Sequence, residues 1–100
     1  MSLNKKQFQF SEMVGKLIVY AYAHGYTLTF GDAWAHDGHM KDSLHYDRLA
    51  VDFNLFKDGV YLTKTEDHKD LGTYWESIGG SWGGRFKDGN HYSLSHEGRS

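Results

Sequence analysis

Near the start of the chain the apolar residues fall at Phe10, Met13, Val14, Leu17, Ile18 and Ala21, the three-and-four spacing that lines one face of a helix. Asn4 stands three residues before Gln7 in the manner of a capping box, and Gly25 is a natural stop. Together they predict a helix over roughly 5–24. The stretch "GYTLTFG" that follows is rich in Tyr, Thr and Phe between two glycines, the signature of a short strand. "DAWAHDGHMKDS" is a polar loop.

The period then changes. In "RLAVDFNLF" the residues Leu49, Val51, Phe53 and Leu55 alternate with Arg48, Ala50, Asp52 and Asn54, the period of two expected of a half-buried strand, which points Asp52 away from the core face. "KDG" supplies a turn into "VYL" and closes a hairpin. Leu71, Tyr74, Trp75 and Ile78 return to helical spacing ahead of a Gly-Gly stop and predict a second helix over about 67–78, although Gly72 inside it lowers the helix propensity. The tail mixes glycine-rich loop with a short strand near His91 to Leu94, in which His91 and Ser93 share a face. These elements predict an α+β fold, a small antiparallel sheet with helices packed on one face.

The 100 residues suit one domain spanning 1–100, with no repeat or low-complexity linker. There is no cysteine, so neither a disulfide framework nor a thiolate zinc site is available, and any metal must be held by His and carboxylate groups. A formal charge of −2 with scattered lysines and arginines excludes a nucleic-acid footprint built on phosphate contacts. No stretch approaches the ~20 apolar residues of a membrane span, and the N-terminal "MSLNKKQFQFSEM" has no apolar segment after its lysines. Synthesis in the cytoplasm without a signal peptide is the expectation.

Seven histidines are many for this length. His24, near the end of the first helix, complements the helix dipole. His68, within "EDHKD", reads as a solvated residue, His96 as part of a polar tail, and His36 and His39 as loop residues. His45, Asp52 and His91 form a more demanding set. Two imidazoles and a carboxylate are what a catalytic zinc needs when its fourth place is left to water. On the strand reading Asp52 and His91 both point to the non-core face, with His45 entering from the preceding loop. Asp52 can equally be read as a salt-bridge partner of Arg48 or of a neighbouring strand. Asp88 stands three residues before His91 in a glycine turn, where its carboxylate can approach a reacting water.

The order Ser43-x-His45, six intervening residues, Asp52, then Trp82-Gly83-Gly84 and Asp88-x-x-His91 resembles the zinc peptidases of phage endolysins and of bacterial D-alanyl-D-alanine carboxypeptidases, including the vancomycin-resistance dipeptidases. The resemblance runs from about Thr29 to Leu94. It implies a hedgehog/DD-peptidase-like fold with one zinc on the face of the sheet away from the helices, held by His45, Asp52 and His91. It implies Asp88 as the catalytic carboxylate, Ser43 as a substrate contact and the peptidoglycan stem peptide as substrate. The bond cut in such proteins is L-alanyl-D-glutamate in the phage lysins and D-alanyl-D-alanine in the carboxypeptidases. A protein of this kind without a signal acts on the cell wall after release or export by another protein. One departure stands out. Many members carry an arginine after the first strand, and here that position is Ala35, with Arg48, Lys41 or His39 as the available substitutes.

Overall fold

A computed structural model of the chain describes residues 2–32 and 48–95. Helix α1 runs over Leu3–Ala23 and buries Phe10, Met13, Leu17 and Ala21, the stripe that the spacing marks out. It begins earlier than the Asn4 and Gln7 pattern suggests. Ser2 is the cap, its Oγ accepting the Lys5 N–H at 3.3 Å, because a hydroxyl just outside the first turn meets an otherwise unpaired amide. The helix ends at His24, and Gly25 takes the positive φ (+87°) that turns the chain away.

The sheet consists of β1 (Tyr26–Asp32), β2 (Ala50–Lys57), β3 (Val60–Leu62), β4 (Ser81–Trp82) and β5 (His91–Ser93), with a second helix, α2 (Lys69–Ser77), before β4. All pairings are antiparallel in the order β1-β2-β5-β4, and β3 also pairs with β2. The hairpin between β2 and β3 turns on Asp58 and Gly59, both at positive φ (53° and 78°), the requirement of a two-residue type I′ turn. Strand β3 pairs with Leu55 to Lys57 and β5 with Ala50 to Asp52. Both therefore lie along the edge of β2 away from β1, end to end, and leave a notch beside Phe53 and Asn54.

Val51, Phe53, Leu55 and Tyr92 face the helices and join Leu17, Leu71 and Trp75 in one core whose members are nearly or fully buried. Burial of side chains this size stabilises by about 1.5–3 kcal/mol each. The fold is thus α+β, a small antiparallel sheet with helices on one face. Gly72 interrupts the helical sequence because the Trp82 ring lies directly on it: a Cβ at that position would collide with the indole. Its cost in helix propensity is offset by burial of the aromatic ring. Among the described residues no helix is long and apolar enough to cross a membrane.

Candidate functional site

Alternation along β2 sends Asp52 and Asn54 to the face opposite the helices, and the register of β2 with β5 sets His91 directly beside Asp52. Antiparallel partners share a face and their side chains meet. His91 Nδ1 accordingly lies 3.2 Å from Asp52 Oδ1, with the two side chains 17% and 22% exposed. The neighbouring-strand partner allowed as an alternative for Asp52 is therefore His91 itself, so the ion-pair and metal readings converge on one pair of residues. Strand β1 reaches this pair through an irregularity at Gly31, where a Cβ would sit 3.2 Å from the Asp52 carbonyl oxygen.

Asp88 is brought next to the pair by a turn. The Asp88 carbonyl accepts the His91 N–H at 3.2 Å, and the Asp88 N–H donates to the Gly83 carbonyl at 2.9 Å. The spacing of three residues between Asp88 and His91 is thus one closed turn. Gly83 explains part of the Trp-Gly-Gly stretch, since a Cβ there would run into the Asp88 carbonyl and the His91 Cβ. Trp82 pins the same turn, its Nε1–H donating to the Gly89 carbonyl at 2.7 Å. Lys87, just before Asp88, holds a left-handed conformation (φ 62°), uncommon for a residue with a side chain. The Asp88 side chain is exposed.

Of the other site residues read from the sequence, Arg48 is exposed and left-handed (φ 58°) two residues before β2. Ser43 and His45 lie outside the described residues, as do Ala35, His36, His39, Lys41 and His96. Among the described residues no group of three His, Cys, Asp or Glu side chains converges. Asp52 and His91 supply one carboxylate oxygen and one imidazole nitrogen, half-buried and in contact. That donor chemistry fits zinc, which takes N and O ligands.

His68 is corrected by the structure. It is only 3% exposed, not solvated, with its Nδ1 2.7 Å from the Tyr92 hydroxyl. Burial pushes its pKa from 6.5 down to about 4, against the opposing pull of Asp67, and pushes the Tyr92 phenol up. His68 is therefore neutral at pH 7. Because its pKa is lower in the folded than in the unfolded state, the unfolded chain binds the proton more tightly. The associated stability is complete above about pH 6.5 and is lost as the pH falls through 4. The expected loss is about 2 to 3 kcal/mol. Melting temperatures measured between pH 7 and pH 4 should fall more steeply for the parent than for His68→Gln; parallel curves would show that His68 does not titrate in this range.

A family model described as D-alanyl-D-alanine carboxypeptidase matches residues 36–94. The matched span contains His45, Asp52, Asp88 and His91 and more than half of the chain. No curated protein matches the chain.

Proposed function

The chain belongs to the D-alanyl-D-alanine carboxypeptidase family, and from that premise we propose that it is a zinc-dependent peptidase that hydrolyses a peptide bond of the peptidoglycan stem. We assign it to the phage or prophage lysin type, an L-alanyl-D-glutamate endopeptidase that reaches the wall after release or export by another protein. The observation that carries the reading is the Asp52 and His91 pair across β2 and β5, with Asp88 on the turn leading into it.

His45, Asp52 and His91 would hold the zinc, which when bound acidifies water at neutral pH and polarises a carbonyl. The core residues behind β2 hold Asp52 in place, and the ladder to β5 holds His91 against it. Asp88 takes the proton of the attacking water and returns it to the leaving amine. Its exposure leaves room for substrate beside it. Ser43 and Arg48 contact substrate, Arg48 standing in for the arginine that Ala35 replaces.

The family's own description favours a second reading, a D-alanyl-D-alanine carboxypeptidase or dipeptidase. Ala35 favours a third, a zinc-stabilised binding module without turnover. Incubation with purified sacculi followed by mass spectrometry of the new termini separates them. New N-terminal D-glutamyl ends with loss of turbidity support the endopeptidase. Release of free alanine alone replaces it with the carboxypeptidase, and zinc binding without any cleavage replaces both with the binding module.

A further inference from the structure

We propose that the notch between β3 and β5 is a substrate subsite for a carboxylate-bearing residue of the peptide, an inference that rests on the peptidase reading and names what binds beside Asp88. The notch exists because β3 ends at Leu62 and β5 begins at His91; the Phe53 N–H still donates to the Asn90 carbonyl at 2.9 Å, and the gap opens beside Asn54. The space there measures about 190 Å³ and is bounded by Thr63, Lys64, His68, Lys87, Asp88 and Asn90, among others. Asp88 is one of its walls and its carbonyl accepts the His91 N–H, so the notch adjoins the turn that carries the Asp52 and His91 pair.

Its chemistry suits an anion. The chain as a whole is acidic, yet among the described residues the charged groups around this notch are two lysines against one aspartate. Among the described residues neither Lys64 nor Lys87 makes an ion pair. An exposed ammonium without a partner is available to a ligand carboxylate, and two of them in one recess add. The recess also reaches a polar group that burial makes costly to leave alone. His68 is almost wholly buried and one ring nitrogen meets Tyr92, but among the described residues the other has no protein partner. A neutral imidazole nitrogen, as donor or acceptor, can complete its bonding with a ligand. The walls are tied together: the Gly89 N–H donates to Thr65 Oγ1 at 3.3 Å, and a Cβ on Gly89 would come within 2.7 Å of the Thr65 Cα. The two walls thus meet through close backbone packing.

The test is an NMR titration of the full chain, following the ring nitrogens of His68, with two probes that lack the L-alanyl bond assigned to cleavage: N-acetyl-γ-D-glutamyl-L-lysine amide with the glutamyl α-carboxylate free, and the same compound with that group amidated. The free acid should bind about five- to tenfold more tightly and shift His68. The double variant Lys64→Gln, Lys87→Asn should abolish the preference; asparagine tolerates the left-handed backbone at 87, and a circular dichroism spectrum like the parent's certifies the fold. Equal affinity for acid and amide, a preference that survives the double variant, or a static His68 each overturns the subsite. The two levels separate: cleavage of sacculi with a silent His68 removes the subsite and keeps the peptidase, and a shifting His68 without cleavage of any stem peptide does the reverse.

Discussion

Asp52→Ala should empty the protein of zinc and cost it most of the stability that chelation removes from the parent. The parent, purified without a histidine tag, is expected to carry about one zinc by elemental analysis. A cation that binds only the folded state adds RT ln(1 + [L]/Kd), about 2.7 kcal/mol at a hundredfold excess over Kd. For a domain of this size that corresponds to a fall of roughly 10 to 20 °C in melting temperature on chelation. Asp52→Ala also deprives the half-buried His91 of its carboxylate partner, a separate loss of about 0.5–1.5 kcal/mol. The decisive quantity is therefore the response to chelator, large in the parent and near zero in Asp52→Ala and His45→Ala. His24→Ala is the control, since His24 stacks on Tyr20 at the exposed end of α1 and should leave the chelator response intact. A parent that contains no zinc, cannot be reloaded and ignores chelator would reduce Asp52 and His91 to a cross-strand pair.

Much of the scaffold of that site is legible in the chain because its signals are local. The period-two run around Asp52 gives the strand and the side to which the carboxylate points, and Asp58-Gly59 gives the hairpin. The Asp88 to His91 spacing gives the turn that the backbone bond closes. What the chain conceals depends on residues far apart in sequence. His68 sits in a hydrophilic cluster, and only the packing of Tyr92, from the last strand, makes it a buried neutral imidazole. The short strand β4 and the role of Trp82 are hidden for the same reason. The indole spans Gly72 on α2 and Gly89 beside the site, so the glycines read from sequence as a weak helix and a loose tail are contact points for one ring. The notch beside β2 has no sequence signal at all, since it arises from where two partner strands stop.

The chemical step is isolated by Asp88→Asn, which should lower turnover on stem peptides about 10²- to 10⁴-fold while zinc content and melting temperature stay near those of the parent. The bonds that shape the turn use the backbone of Asp88, its N–H to Gly83 and its carbonyl from His91, and these survive the substitution. The side chain is exposed, so exchanging a carboxylate for an amide leaves no buried charge behind and removes only the group proposed to accept the proton. Asp58→Asn is the matched control. It occupies an Asp-Gly turn at positive φ in the hairpin, a conformation asparagine adopts as readily, and it should be silent in turnover and stability alike. Equal rates for the parent and Asp88→Asn would leave Asp88 a turn residue. Loss of zinc in Asp88→Asn would make Asp88 a ligand and reopen the role of Asp52. A zinc-loaded parent that cuts no stem-peptide bond would turn attention to Ala35: without the arginine that helps stabilise the developing oxyanion, and with Arg48 failing to replace it, the same ligands would serve a binding module.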